Sequence, residues 1–401
     1  MTAAKMHRER QHKSAVGALP PNQLTTTVDL GADECQRIRV LIAAFSARYV
    51  LAQLLDEMFL ALTRRIDCRL LVPTNYAGET PERYLFRAPC GVGKIDGIVA
   101  SIHPIAHWKS ISALRRAKPD VVHVFSGEGY TWAVSLVLVA RLTGIPVVVT
   151  LHDPVPHPGN IFERLNSIVR RPVLALAQAV HIFSSQHLEQ TRKLAAHAQL
   201  AVIAHGSLAQ RFLRHQKLGV PREELVLFFG RIQRYKGIDI LLRSMWALPA
   251  TTRLAVAGPG VLDTEAQQMI VALGDRVEVH NRYLSDAEVA ALLQRSSVVV
   301  LPYRHATQSS VPAIAAAFGC PVVASGLGHF VEEVPQLGGT LVPPDDPAAL
   351  AAALRKVIAT GQIVQGRPPT FDELSESFVR LYQSCMRRPQ FRGDAEQGRS
   401  P

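Results

Sequence analysis

Short apolar segments alternate with longer amphipathic segments along most of the chain. In the first half the apolar segments are RVLIAAF, CRLLVP, VVHVF and VVVTL. In the second half they are LVLFFG, RLAVAG, RVEVHN, VVVLPY and PVVAS. Segments this short and this continuously apolar are typical of strands covered on both faces, and helix-length segments between strands indicate βαβ units. The pattern therefore predicts an α/β protein built on parallel sheets.

The segments between the strands have helical periodicity. They predict helices at 51–63, near 110–117, at 130–143, from about Asp263, at 286–294 and at 312–318. Residues 370–386 have the same periodicity, and Thr370 stands where an N-cap is expected.

Changes in composition divide the chain into domains. Residues 1–35 have no sustained period and predict a flexible tail, and residues 389–401 are expected to be disordered. Between them we expect a first doubly wound domain over 36–210, a basic connector, a second such domain over 222–368 and a terminal helix over 369–388. Two large domains suit 401 residues at about 150 residues per domain.

Hydroxyl and amide groups collect at the end of a strand in the segment LPYRHATQSSVPAIAAAFGC. The loop residues Thr307, Gln308, Ser309 and Ser310 lie between the strand that ends near Leu301 and the predicted helix. In an open α/β sheet this position holds anions, typically a nucleotide phosphate. An ordinary capped helix has a similar sequence, because Ser is a common N-cap.

A second loop of the same kind occurs in VLFFGRIQRYKGIDILL. Gly230 permits close approach of the backbone, while Arg231 offers a planar fork and Lys236 a point charge for diphosphate oxygens. Solvated surface cations are the alternative interpretation. Two such loops after two strands of one region favour a nucleotide-diphosphate site.

The GR-x4-KG element, AVAGPG, LPY with the QS-V helix, and G-x-PVVAS together resemble the retaining nucleotide-sugar glycosyltransferases of family 4, the glycogen-synthase-like group. PDVVHVF, PVVVTLHDPVPHPG and IAHG extend the resemblance to the first half. The resemblance implies the GT-B fold, in which two Rossmann-like domains face a cleft and the terminal helix returns to the first domain. It also implies a nucleotide-sugar donor and a polysaccharide, glycolipid or lipid-linked acceptor.

The resemblance assigns roles to individual residues. Catalytic roles fall on His152, Arg231 and Lys236. Donor-binding roles fall on Gly230, Gly258, Tyr283, Gln308, Ser309, Ser310, Val311 and Glu332, the last towards the ribose. The acceptor side of the cleft is expected to include His123, Asp153, His157, His205 and Gly206, although a lone histidine at a strand end is more often structural. We expect no metal ion and no cofactor, since the two cations suit a diphosphate and no Asp-x-Asp motif is present.

The sequence departs from the family pattern in the second loop. Many members carry two glutamates eight positions apart, but an alignment on Gly319 places Ala306 and Ile314 there. Residues 308–311 (QSSV) instead resemble a Gln-Ser-Gly-Val variant found in some members. A catalytically inactive relative that acts as a binding or scaffolding subunit therefore stays an alternative.

Composition bounds the remaining possibilities. Five scattered cysteines without a CxxC pair, together with the lack of an apolar signal segment, predict a cytoplasmic protein. The calculated pI of 9.7 is compatible with nucleic-acid binding, but aromatic residues make up only 6% and no such motif is present, so we expect no nucleic-acid partner. Residues 1–220 carry 26 Lys and Arg against 15 Asp and Glu, whereas 221–401 carry 18 of each. This asymmetry predicts peripheral attachment to an anionic membrane surface, at the inner face of the cell membrane.

Overall fold

Two parallel sheets form the protein. The computed structural model describes residues 37–47, 50–89, 103–152, 161–305, 309–364 and 369–387. The first sheet has seven strands in the order β3-β2-β1-β4-β5-β6-β7, and the second has six in the order β10-β9-β8-β11-β12-β13. In both, the order reverses direction beside the first strand, between β1 and β4 or between β8 and β11. The predicted α/β class with two doubly wound Rossmann-like sheets is confirmed.

The strands of the first sheet are β1 (Arg39–Ala44), β2 (Asp67–Pro73), β3 (Leu85–Ala88), β4 (Val121–Ser126), β5 (Val147–Thr150), β6 (Ala179–Ile182) and β7 (Gln199–Val202). The strands of the second sheet are β8 (Leu225–Phe229), β9 (Arg253–Ala257), β10 (Val277–His280), β11 (Val298–Leu301), β12 (Val322–Ser325) and β13 (Thr340–Val342). All pairings are parallel, for example Val226 with Leu254 and Val299 with Val322. β4, β5, β11 and β12 are buried at every position, as their continuously apolar sequences predict.

The helices of the first half are α1 (Val50–Thr63), α2 (Pro104–Ala117), α3 (Thr131–Leu142), α4 (Ile161–Leu176), α5 (Leu188–Leu194) and α6 (Ala209–Leu213). Those of the second half are α7 (Ile238–Met245), α8 (Thr264–Leu273), α9 (Asp286–Arg295), α10 (Val311–Ala317), α11 (Phe330–Gln336), α12 (Pro347–Thr360) and α13 (Phe371–Arg387). Within the described ranges, no helix is both long and apolar enough to cross a bilayer.

Capping residues determine where two of the helices begin. α2 begins six residues before the position expected from periodicity, because Pro104 occupies the first turn and the His103 side chain caps the Ile105 N–H at 3.3 Å. α13 begins as expected after Thr370, which exchanges hydrogen bonds with Glu373 in a capping box.

α13 packs against α1 and against strands of the first sheet. A fully buried chain of hydrogen bonds joins it to three strands: Tyr382 Oη is 2.9 Å from His123 Nδ1, and His123 Nε2 is 2.7 Å from Thr150 Oγ1. Thr150 Oγ1 is 2.9 Å from His181 Nδ1, and His181 Nε2 is 3.0 Å from the Ile203 carbonyl. A carbonyl only accepts, so each neutral ring must donate from Nε2 and accept at Nδ1, and the chain runs from the tyrosine to the carbonyl with every group satisfied. The four side chains therefore fix the terminal helix on the first sheet.

The chain passes between the sheets along two adjacent segments. Ser207 N–H donates to the Pro369 carbonyl at 2.9 Å, so the outgoing and returning segments are bonded to each other. At Gly206 a β-carbon would lie 2.6 Å from the Phe371 ring, which leaves no room for a side chain. The first residue of α13 thus packs directly on the segment that leaves the first sheet.

The loops after β8 and β11 touch at the reversal point of the second sheet. Gly237 has φ of 68°, and a β-carbon there would lie 1.9 Å from the Pro302 carbonyl oxygen. Arg304 holds the same two loops together, since its guanidinium binds both carboxylate oxygens of Asp239 at 2.7 Å. It also binds Asp345 Oδ1, in the loop after β13, at 2.6 Å. The predicted cation loop is therefore packed tightly against the predicted hydroxyl loop.

We expect Gly237→Ala to be far more destabilising than its matched control, Gly361→Ala. Gly361 has nearly the same backbone conformation, with φ of 57°, but a β-carbon there would meet nothing within 4 Å. The control should lose about 1 kcal/mol of stability from backbone strain alone, whereas Gly237→Ala should lose at least about 2 kcal/mol more because the Pro302 loop must move. Urea denaturation of both variants measures the difference. Equal losses would show that the two loops are not in contact.

Two buried histidines, His123 and His181, and the half-buried His205 should make stability depend on pH. Burial lowers the pKa of His181 to about 3, that of His205 to about 4 and that of His123 well below its usual value. In the unfolded chain each titrates near 6.5, so below that pH the unfolded state binds more protons and stability falls, by about 2 kcal/mol per histidine between pH 7 and pH 5. Glu333 acts in the opposite direction, because burial raises its pKa to about 7.

The free energy of unfolding should therefore drop by about 4 kcal/mol net between pH 7 and pH 5. Glu333→Gln removes the opposing group and should steepen that drop. Urea titrations at several pH values measure it, and a stability that is flat over this range would contradict the burial of the histidines in neutral form.

Candidate functional site

The carboxyl ends of β8 and β11 define the centre of the candidate site. These strands flank the point where the order of the second sheet reverses, and the loops after such strands enclose a crevice that receives ligands in doubly wound proteins. The predicted donor residues Gly230, Arg231 and Lys236 follow β8, and Ser309 to Val311 follow β11. The topology thus brings together two loops that are about 70 residues apart in sequence.

Two glycines shape the floor of this crevice. Gly230 has φ of 132°, and a β-carbon on it would lie 2.9 Å from Lys236 Nζ. Gly258 has φ of 141°, and a β-carbon there would lie 2.2 Å from the Gly230 carbonyl oxygen. The loops after β8 and β9 therefore approach each other as bare backbone, as the sequence predicts for Gly230.

Lys236 is a half-buried cation at this edge. Its Nζ lies 4.8 Å from the centre of the Tyr303 ring, a cation–π distance. Burial lowers the pKa of Lys236, and the nearby Arg231 guanidinium lowers it further. Among the residues that the structure describes, no carboxylate forms an ion pair with Lys236 or with the exposed Arg231. Two neighbouring cations that have no carboxylate partner in the described part of the chain are arranged to receive an anion.

In the loop after β11, more backbone amides are hydrogen-bonded within the protein than the sequence suggests. Ser309 N–H donates to His329 Nε2 at 3.0 Å, and Val311 N–H lies 3.4 Å from the Ser309 hydroxyl. Two of the amides expected to face a phosphate are therefore bonded within the protein. Gln308 lies outside the described residues. Ile314, at the position of the family's second glutamate, is 2% exposed and packs in the core, so no carboxylate is available there.

His329 is a site residue that the sequence analysis missed. It lies just before α11, its ring is 9% exposed, and it joins the loop after β11 to α11 through the Ser309 amide. The signal available in the sequence was weak, since His329 occupies a loop position in GLGHF without any catalytic motif.

The first sheet supplies histidines to the opposite side. His152, just after β5, has Nε2 2.8 Å from the Phe125 carbonyl, so this nitrogen donates. Phe183, after β6, packs between His152 and His205, with ring centres 5.1 and 5.0 Å away. Burial, and then the proximity of His152, lowers the pKa of His205; His329 of the second sheet has the same effect to a smaller extent. His152 and His205 therefore lie on either side of Phe183, and the next residue, Ser184, binds Glu332 of α11, the helix that follows His329.

Two expected cleft residues are placed differently. His123 does not line the cleft, because α13 covers its strand and leaves the residue 0% exposed. Its Nδ1 bonds to Tyr382 and its Nε2 to Thr150. Glu332, expected near a ribose, accepts hydrogen bonds from the hydroxyls of Ser184 at 2.8 Å and Ser185 at 3.3 Å. Its carboxylate thus connects the second sheet to the loop after β6, and a ribose would have to displace these hydroxyls.

The remaining predicted residues have simple positions. Tyr283 follows β10 at the edge of the second sheet and is 54% exposed. Gly206 lies in the crossing segment beneath Phe371, beside His205. Asp153 and His157 lie outside the described residues. No group of three or more His, Cys, Asp or Glu side chains in the described parts of the chain is placed to hold a metal ion.

Comparisons with known proteins agree with this geometry. Residues 52–206 match the family model "Glycosyl transferase 4-like domain", and residues 223–360 match "Glycosyl transferases group 1". The D-inositol 3-phosphate glycosyltransferase of Xylanimonas cellulosilytica is 29% identical over 67% of this chain and 73% of that protein. The glycogen synthase of Mycobacterium tuberculosis is 29% identical over 65% of each.

Solved structures show the same fold. The structure of HepE from Anabaena in complex with UDP and glucose superimposes with a TM-score of 0.65 at 18% identity, covering 87% of this chain and 100% of that one. Both sheets of the chain thus have counterparts in a solved two-domain fold. Residues 52–206 are therefore a glycosyl transferase 4-like domain and residues 223–360 a domain of the group 1 glycosyl transferases, joined in a GT-B fold.

Proposed function

We propose that the protein is a retaining glycosyltransferase, which moves a sugar from a nucleoside-diphosphate donor to a glycan, glycolipid or lipid-linked acceptor. The pair Arg231 and Lys236 carries the proposal, because these cations lack a carboxylate partner among the described residues and lie at the reversal point of the second sheet. The relatives named as glycosyltransferases, and the UDP and glucose in the Anabaena structure, support a donor of this class.

The chemistry explains why cations are needed at this edge. When the bond between the sugar and the diphosphate breaks, negative charge builds up on the leaving group while the sugar becomes oxocarbenium-like. Charges that are already in place stabilise that state most, since no groups have to reorganise during the reaction. Lys236 is held by the Tyr303 ring and by the contact of Gly237 with Pro302, so its position is fixed before a ligand arrives. The proposal assigns neutralisation of the diphosphate to these two cations and includes no metal ion or cofactor.

His152 is proposed to face the transferred sugar. Its Nε2–H is committed to the Phe125 carbonyl, so in the neutral ring Nδ1 holds the lone pair. That nitrogen can accept a hydrogen bond from a sugar hydroxyl, and the packing of Phe183 on the ring keeps the ring orientation constant. His205 is neutral because its pKa is about 4. Together with His152 it would place uncharged side chains beside the sugar as the sugar becomes oxocarbenium-like.

Removing either cation should weaken nucleotide binding. We expect Arg231→Ala and Lys236→Ala each to cost about 1.5–3 kcal/mol in affinity, the scale of a hydrogen bond to a charged group. The matched control is Arg234→Ala, whose exposed side chain belongs to the same turn and which keeps its backbone contact to Arg304. A thermal-shift screen of UDP, GDP and ADP selects the nucleotide, and calorimetry then measures its affinity for the four proteins.

The same variants should lose donor turnover at least in proportion to the lost affinity, because the diphosphate charge is larger when it leaves than in the intact donor. Unchanged affinity in both site variants, or an equal loss in Arg234→Ala, would refute the diphosphate clamp.

A further inference from the structure

Two neighbouring helices on one face of the first sheet expose large apolar side chains. α2 and α3 pack side by side, with His107 Nδ1 2.7 Å from the Ser135 hydroxyl between them. Beside this contact, Ile105 and Trp108 of α2 are 49% and 66% exposed, and Leu138 and Leu142 of α3 are 45% and 77% exposed. In each helix these residues are three or four positions apart, so each pair forms an outward stripe. We call the outer surface of α2 and α3 the α2–α3 face.

The same face is exclusively cationic. The sequences PIAHWKSISALRRA and TWAVSLVLVARL contain no Asp or Glu, but they contain Lys109, Arg115, Arg116 and Arg141. None of the four is in an ion pair with a carboxylate of the described residues: Arg116 lies over the Phe86 ring at 5.4 Å and Arg141 binds the Gln178 side chain at 3.1 Å. Lys118 adds a fifth cation just after α2. Unneutralised charge and exposed apolar area thus coincide on one surface.

Elsewhere, exposed apolar residues have mixed surroundings. Trp246, 56% exposed at the end of α7, follows Arg243, which pairs with Glu265 at 2.6 Å. Val271 is 80% exposed on α8, a helix whose first turn carries Glu265. Single exposed apolar side chains of that kind are normal on soluble proteins, whereas a cluster of four amid cations only is not.

We propose that the α2–α3 face docks on a bilayer surface that contains anionic lipids. Trp108 and Leu142 would enter the headgroup region, where tryptophan is favoured, while the lysine and arginines around them bind lipid phosphates. The charge favours an anionic bilayer, because neither helix carries a carboxylate and surface cations bind anionic headgroups at about 1 kcal/mol each. The inference does not depend on which sugar the enzyme transfers.

Docking in this way would bring the cleft near the lipid. Helices that follow parallel strands begin at the carboxyl edge of the sheet, so the first two turns of α2, with Ile105 and Trp108, lie on the cleft side of the face. Leu142, the last residue of α3, lies towards the other edge, so the face would contact the bilayer along its length. A lipid-linked acceptor could then reach the cleft without leaving the bilayer. The surface therefore adds a physical reason for the charge asymmetry between the two halves of the sequence.

Co-sedimentation of the full-length protein with vesicles tests the apolar part. With vesicles of phosphatidylglycerol and phosphatidylcholine, Trp108→Ser and Leu142→Ser should each lower partitioning about tenfold. The matched controls Trp246→Ser and Val271→Ser remove equally exposed side chains from the second domain and should change nothing. All four sites are exposed, so circular dichroism should show native folding in each variant. Equal losses in site and control variants would overturn the proposal.

A second pair of variants tests whether the cations of the α2–α3 face contribute to vesicle binding. Lys109→Ser should weaken binding about fivefold at low salt, while Lys356→Ser, an exposed lysine on α12, should have no effect. Binding of the native protein should fall as salt is added, and vesicles of phosphatidylcholine alone should bind little. Partitioning that ignores salt and headgroup charge would overturn the proposal. So would a loss in Trp108→Ser that appears with duplex DNA or in self-association but not with vesicles, since the face would then serve a different partner.

Discussion

The close contact between the loops after β8 and β11 is the constraint on which the donor side of the structure depends. The carboxyl ends of these strands diverge where the sheet reverses direction, and the crevice between them becomes a site only if both loops are held in place. Gly237 permits that contact, because any side chain would collide with the Pro302 carbonyl. Arg304 stabilises this contact through its ion pair with Asp239, so the cations Arg231 and Lys236 are positioned by backbone packing and by an ion pair to which neither contributes.

The first sheet and α13 enclose four polar side chains in their buried core. His123, Thr150, His181 and Tyr382 satisfy one another in a single direction that ends at the Ile203 carbonyl. An incomplete chain of hydrogen bonds would destabilise the fold, since a buried donor or acceptor without a partner loses its hydrogen bonds to water and gains none in the protein. The complete chain instead ties α13 to three strands. His152 and His205 lie just beyond it, at the strand ends, where Phe183 packs against both.

Much of the fold could be predicted from the sequence because buried parallel strands are continuously apolar. Four strands were predicted in this way: β4 from VVHVF, β5 from VVVTL, β11 from VVVLPY and β12 from PVVAS. β3, β6, β7 and β13 were not predicted, since their sequences LFRA, AVHI, QLAV and TLV each include a polar residue and are not continuously apolar. The end of α2 was predicted and its start was not, because Pro104 was not recognised as a first-turn residue.

The candidate site was predictable where a residue's role is local and not where it depends on long-range partners. Gly230, Gly258, Arg231 and Lys236 follow strands in glycine-containing turns, and the structure places them at one edge. The environment of His123 depends on Tyr382, 259 positions away, and that of Glu332 on Ser184, 148 positions away. No local pattern reports such partners, which is also why His329 was missed.

The central claim is that a nucleoside diphosphate binds at the reversal point of the second sheet, between the loops after β8 and β11. Hydrogen–deuterium exchange with and without the nucleotide that most raises the melting temperature tests it most directly. Peptides that span 229–237 and 302–305 should become protected in the native protein, and Lys236→Ala should abolish that protection at the same nucleotide concentration. Protection confined to peptides of the first sheet, or unchanged protection in Lys236→Ala, would contradict the claim.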